Sequence, residues 1–111
     1  MVEKRDNTIS NVMNFSADKP QATLPPPLQA MWWLKKGNLS MGEEWQKAHE
    51  ICQTQEGNPD YDIVHALAHW IEGDTSNAAY WYRRVGDARA ASVGDEWERV
   101  MKLLVSKVAG R

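Results

Sequence analysis

Residues 65–86 of the chain read HALAHWIEGDTSNAAYWYRRVG, and this stretch decides the fold. In its first half, apolar residues occupy most positions around a helix that we expect to span residues 61–72. Gly73 and Asp74 then end that helix and supply the cap of the next one. In the second half, the spacing i, i+3, i+4, i+7 predicts the inward face of a fourth helix, formed by Ala78, Trp81, Tyr82 and Val85.

Helical patterns continue on both sides of this stretch. Upstream, residues 26–36 predict a helix that is apolar on every face, typical of a central helix, and Gly37 is its expected left-handed cap. A second helix is predicted to begin at Ser40, which forms a capping box with Glu43. A last helix opens at Ser92, and no segment shows strand alternation. The predicted class is all-α, a compact bundle of about five helices built from helix-turn-helix hairpins.

The length and the distribution of polar residues define one domain. A chain of 111 residues can bury one modest core. Residues 1–22 are polar and show no sustained period, which predicts a flexible N-terminal arm. Three prolines at 25–27 suit the first turn of a helix, so the helical domain is predicted over residues 23–109.

Composition restricts the partners and the compartment. A net charge of −2 does not provide the basic surface that nucleic acids require. No apolar run reaches the roughly 18 residues of a membrane span, and no apolar region follows the basic N-terminal residues as it would in a secretory signal. The single cysteine, Cys52, fits a reducing compartment and a buried structural thiol. We therefore expect a cytoplasmic protein that binds neither nucleic acid nor membrane.

Two resemblances follow from the motifs. Thirty residues separate Ala48 from Ala78, near the period of about 34 of tetratricopeptide repeats, and GDTSNAAYWYRRV resembles the core of such a repeat. The chain more closely resembles a group of small bacterial proteins of unknown function that carry H-A-x-x-H-x-x-E-G-D-x-x-N-A-x-Y-W-Y-R-R. The matching residues fall between 42 and 86, and the resemblance implies a compact, repeat-like helical domain without specifying an activity.

The histidines are candidate metal ligands. Asp62, His65, His69 and Glu72 share an arc about 80° wide on the third helix, and His49 lies at the edge of the second helix's apolar stripe. Two histidines four residues apart can bind one divalent transition metal such as zinc, with His49 or a carboxylate as a further ligand. The HALAH segment lacks the glutamate of H-E-x-x-H metalloproteases. The alternatives are metal-free catalysis or imidazoles that only make hydrogen bonds along a semi-polar face.

Two functional hypotheses compete. The leading one is an interaction module without a cofactor, whose groove binds a protein or peptide or a second copy of the chain. Its predicted anchors are Trp33 and Tyr80, with Arg83, His65 and His69 at the rim. The rival is a small metal-binding protein or hydrolase-like enzyme that uses His49, His65, His69 and Glu72. This rival requires the three imidazoles to converge within about 5 Å in one concavity.

Overall fold

The computed structural model describes residues 13–109, and this part of the chain is helical without any strand. The predicted all-α class is confirmed. The helices are α1 (Pro26–Lys36), α2 (Glu43–Gln53), α3 (Pro59–Glu72), α4 (Thr75–Val85) and α5 (Val93–Ala109). None of them is both long enough and apolar enough to cross a membrane.

Helix α3 is the centre of the bundle, and it packs against all four other helices. Residues 62–69 form a continuous buried run, because neighbours cover α3 on every side. The apolar surface of α1 predicted that α1 would be central, but α1 packs only against α2, α3 and α5. The central position belongs to the helix whose small alanines, Ala66 and Ala68, allow close approach from several directions.

The turn that contains the decisive stretch forms as the sequence predicts. Gly73 ends α3 with a left-handed φ of 90°, a conformation in which glycine has no steric cost. The carboxylate of Asp74 accepts a hydrogen bond from the backbone N–H of Asn77 and so caps α4. Gly73 and Asp74 therefore reverse the chain within two residues, which pairs α3 with α4.

The start of α2 differs from the prediction. Ser40 donates its hydroxyl to the carbonyl of Asn38 instead of capping, and α2 begins at Glu43 without a side-chain cap. The left-handed residues of this turn are Asn38 and Leu39, whereas Gly37 has a φ of −82°. Glycine is needed at 37 for space, since a Cβ there would lie 2.8 Å from the Cβ of Glu44.

Part of the predicted flexible arm packs on the bundle. Met13 is only 2% exposed and belongs to the core, and Phe15 stacks on Trp32 with ring centroids 5.9 Å apart. The Trp32 indole donates to the carbonyl of Asn14 at 3.1 Å, and Lys36 donates to that of Phe15 at 2.8 Å. Residues 13–22 thus differ from a free arm, because two aromatic rings and two backbone carbonyls attach their beginning to α1. Residues 1–12 lie outside the described part.

Two tryptophans form hydrogen bonds that join one helix to another. The indole of Trp45 on α2 donates to the carbonyl of Ala68 on α3 at 2.8 Å. The indole of Trp97 on α5 donates to the carbonyl of Met31 on α1 at 2.9 Å. Each buried ring therefore contributes apolar area and also pairs a carbonyl across a helix interface.

Candidate functional site

The three histidines of the chain meet between α2 and α3. His49 lies on α2, whereas His65 and His69 lie one turn apart on α3. Three ring nitrogens, one from each histidine, lie within 4.8 Å of one another. The Nε2 atoms of His49 and His65 are 3.1 Å apart. The convergence required by the metal-site hypothesis is therefore present in the structure.

A tryptophan on each side holds the imidazoles in place. Trp45 stacks almost parallel on His49, with ring centroids 4.8 Å apart and an interplanar angle of 11°. Because Trp45 also bonds to the backbone of Ala68, it fixes His49 relative to α3. On the other side, Trp81 of α4 stacks on His65 at 4.3 Å. The cluster is therefore supported by contacts from three helices.

Glu72 orients His69. Its carboxylate oxygen lies 2.8 Å from Nδ1 of His69, the i,i+3 geometry of one helical turn. A carboxylate can only accept, so Nδ1 carries a proton, and in the neutral imidazole Nε2 is then the atom with the lone pair. The outer nitrogens of metal-bound histidines usually donate to a carboxylate in this way, which fixes the tautomer and raises the basicity of the ligating atom.

The protonation of the cluster favours free lone pairs. Burial, and then the nearby charge of His69, lowers the pKa of His49. Burial, followed by the charges of His69 and His49, lowers the pKa of His65 to about 3. His65 is also the side chain whose buried Nδ1 has no hydrogen-bond partner among residues 13–109. At neutral pH these two imidazoles are therefore in the uncharged form that metals bind.

The cluster opens into a cleft of about 320 Å³. Polar side chains accompany the imidazoles along its wall. They are Gln53 and Glu56 from α2 and the segment that follows it, and Asn77 from α4. A ligand in this cleft would therefore meet both imidazoles and other hydrogen-bonding side chains.

The polar arc predicted on α3 is not a surface stripe. His65 is 2% exposed and His69 is 7% exposed, because α2 and α4 cover the arc. Asp62, which shares the arc, accepts a hydrogen bond from the backbone N–H of Gly57 at 3.1 Å and does not join the cluster. Glu72 contacts His69 directly and is placed as its partner.

The predicted anchors of a binding surface lie on separate helices. Trp33 on α1 is half-buried against Trp32, with Lys47 over its ring. Tyr80 on α4 is 45% exposed, and its hydroxyl accepts a hydrogen bond from Arg84. Helices α1 and α4 do not pack against each other within residues 13–109, so these two rings do not share a helix interface.

Sequence reasoning missed the residues that support and line the cluster. Trp45 precedes His49 by four residues, the same spacing as His65 to His69, so one helical face carries ring and imidazole together. That spacing was the available signal. Trp81 was predicted to face inward, but its partner could not be read from one helix. No sequence pattern indicated that the cleft would also be lined by Gln53, Glu56 and Asn77.

None of the protein-family models, curated proteins or solved structures compared with the chain matches it.

Proposed function

We propose that this protein binds one divalent transition-metal ion, of the zinc class, through His49, His65 and His69. One observation carries the proposal: all three histidines of the chain, from two different helices, converge with their ligand atoms within 4.8 Å. Imidazole nitrogen is a preferred ligand of zinc, copper and nickel, and three such ligands are a common set in open metal sites.

The shortest distance in the cluster fits such an ion, whereas the widest separation, up to 4.8 Å, must shorten on binding to no more than about 4.2 Å, twice the metal–nitrogen bond length. Two nitrogens bound at 2.0–2.1 Å to a tetrahedral ion lie about 3.3 Å apart. The 3.1 Å between the Nε2 atoms of His49 and His65 is close to that value. A shared N–H···N hydrogen bond accounts for the same distance. It does not account for the third imidazole, or for the Glu72 carboxylate that leaves Nε2 of His69 free.

Three protein ligands would leave a fourth position on a tetrahedral ion, and all three imidazoles line the cleft through which a further ligand would enter. An open position of this kind is typical of catalytic metal sites, in which the ion polarises a substrate or activates water. Glu56 on the cleft wall is the available carboxylate for proton transfer. A hydrolase-like activity is therefore the catalytic form of this proposal.

The interaction-module hypothesis has less support. Large apolar side chains with substantial exposure, among residues 13–109, belong to three different segments of the chain: Met41, Tyr80 and Val108. A docking surface normally needs a contiguous apolar patch of several hundred Å². A protein or peptide partner, self-association and the likeness to tetratricopeptide repeats remain predictions.

The test is metal binding by the full chain, purified through a tag that contains no histidine. We expect Co²⁺, as a coloured substitute for Zn²⁺, to bind at one equivalent with the strong visible absorption of tetrahedral coordination. His49→Gln is the informative variant because His49 is only half-buried, and circular dichroism checks its fold. It should weaken binding by at least the roughly 10–100-fold that loss of an outer partner costs.

The matched control is Gln46→Ala, an exposed position on the same helix, which should bind as the parent protein does. Absence of the tetrahedral spectrum in the parent protein, or equal affinity of the folded His49→Gln variant, would overturn the proposal.

A further inference from the structure

A second cleft, about 480 Å³ in volume, lies between α4 and the segment that follows it. Its wall includes Ala79, Tyr82, Arg83, Asp87, Ala88 and Arg89. It shares no lining residue with the histidine cleft. Its volume falls within the range of about 300–1,000 Å³ that is typical of small-molecule sites.

Two guanidinium groups in this cleft lack an acidic partner. Neither Arg83 nor Arg89 forms an ion pair with any residue between 13 and 109. The one carboxylate on the wall, Asp87, is bonded to Arg99 at 3.1 Å. Arg99 also binds Glu96 through two nitrogens, each at 2.8 Å. A third arginine therefore engages both nearby carboxylates, which leaves the cleft with excess positive charge.

Arg89 contacts an aromatic ring beside the cleft. Its guanidinium lies over the ring of Trp70, 4.1 Å from the centroid. A guanidinium stacked on an indole keeps its N–H groups at its edge, where they can bind an anion in pairs. Because this contact restrains the guanidinium before any ligand arrives, less conformational freedom is lost on binding.

Apart from Thr75, the rest of the wall is largely apolar. Ala79 of α4, the ring of Tyr82 and Ala88 present carbon atoms to the cleft. The hydroxyl of Tyr82 donates its proton to the buried carboxylate of Glu96 at 2.8 Å, so it is not available to donate to a ligand in the cleft. The wall thus provides an apolar surface beside two guanidinium groups that have no acidic partner.

We propose that this cleft binds a small molecule in which an anionic group, carboxylate or phosphate, is attached to a flat aromatic body. The guanidinium groups of Arg83 and Arg89 bind the anion, and the surface formed by Ala79, Tyr82 and Ala88 receives the ring. This site is separate from the metal site, and it does not depend on the proposed function.

The probes are phenyl phosphate, benzoate and inorganic phosphate, added to the ¹⁵N-labelled full chain without metal. We expect shifts in the backbone amides of residues 86–89 with phenyl phosphate and benzoate. Inorganic phosphate should bind at least about tenfold more weakly than phenyl phosphate, since it lacks the ring. Comparison of benzoate with phenyl phosphate distinguishes a carboxylate from a phosphate ligand.

Arg83→Gln and Arg89→Gln should each weaken phenyl phosphate binding about tenfold or more, as loss of a charge-assisted hydrogen bond does. Lys102→Gln removes one positive charge from an exposed site on α5 and should change nothing. Ala79→Leu fills the cleft and should abolish ring-dependent binding while leaving the fold intact, since Ala79 is exposed.

Three results would overturn the inference: shifts spread over exposed lysines, equal binding in the arginine variants, or inorganic phosphate binding as well as phenyl phosphate. His69→Gln separates the two sites. It should abolish metal binding and leave phenyl phosphate binding unchanged, so failure of one proposal does not imply failure of the other.

Discussion

Glu72 is the residue whose carboxylate determines which nitrogen His69 presents to the cluster. Replacement by glutamine keeps the size of the side chain but removes the charge that holds the proton on Nδ1. We expect Glu72→Gln to weaken Zn²⁺ binding about 10–100-fold, measured by competition with a coloured chelator. Glu98→Gln removes the same charge from an exposed position of α5 and should bind as the parent protein does. Equal affinities of the two variants would show that Glu72 has no role at the site.

His65 gives the metal-free protein a pH-dependent stability. Its pKa of about 3 in the folded protein lies below its ordinary value of 6.5, because the side chain is buried beside His69 and His49. The unfolded chain therefore binds protons that the folded chain does not. The contribution of His65 to the free energy of unfolding reaches its maximum above pH 6.5. It decreases as the pH falls toward 3, by up to about 1.4 kcal/mol per pH unit.

Urea unfolding in chelator at about pH 7.5, 6 and 5 measures this effect. His49, whose pKa is also lowered, adds to the slope. Burial raises the pKa of Glu96, but hydrogen bonds from Arg99, Ala90 and Tyr82 outweigh burial, so the pKa lies below its ordinary value of 4.5. Glu96 therefore adds to the pH dependence of stability only below about that pH. His65→Gln should reduce the slope. A free energy of unfolding that does not vary over this range would contradict the neutral, buried imidazole.

At the scale of the element, Glu96 joins α5 to α4. Its carboxylate is 0% exposed and accepts hydrogen bonds from the hydroxyl of Tyr82 and the backbone N–H of Ala90, both at 2.8 Å. Glu96→Ala leaves the buried hydroxyl of Tyr82 and the half-buried N–H of Ala90 without this acceptor, and it leaves Arg99 with Asp87 as its remaining acidic partner. We expect this change to lower the free energy of unfolding by about 3–5 kcal/mol.

Tyr82→Phe removes one of those donors and should cost only about 1 kcal/mol. Glu98→Ala, on the exposed side of the same helix, should stay within about 0.5 kcal/mol of the parent protein. If Glu96→Ala costs no more than Glu98→Ala in denaturant unfolding, the buried carboxylate does not hold the two helices together.

The segment before α1 behaves as an element of the core. Met13 packs among buried residues, so Met13→Ala should lower the free energy of unfolding by about 2–5 kcal/mol. Lys19→Ala, at an exposed position of the same segment, should leave stability unchanged. If both variants gave the same unfolding curve, Met13 would not be part of the core, and the flexible arm predicted from the sequence would be the better description.

Periodicity predicted the helices well because each helix has an apolar face that can be counted along the chain. It placed α3 and α4 and the Gly73–Asp74 turn, and it put His65 and His69 on one arc with Glu72. It could not show what covers that arc, since burial depends on the packing of α2 and α4. The N-terminal segment was missed for a related reason, because two apolar residues, Met13 and Phe15, are too few to show a period.

At the scale of the whole molecule, the packing of α2 and α4 on the central α3 turns a polar arc into a buried cluster. Burying two imidazoles and half-burying a third costs free energy, which a simple structural bundle would avoid by placing apolar residues there. A ligand that binds only the folded state returns stability to it, so Zn²⁺ binding should raise the stability of the whole bundle.

The most direct measurement of the central claim is the long-range ¹H–¹⁵N spectrum of the imidazoles during Zn²⁺ titration, in which only three histidines contribute signals. We expect the ring nitrogens of His49, His65 and His69 to change together and to saturate at one equivalent, with the Nδ1–H of His69 retained. Signals that stay unchanged at one equivalent, or a change confined to one ring, would contradict a shared three-histidine site.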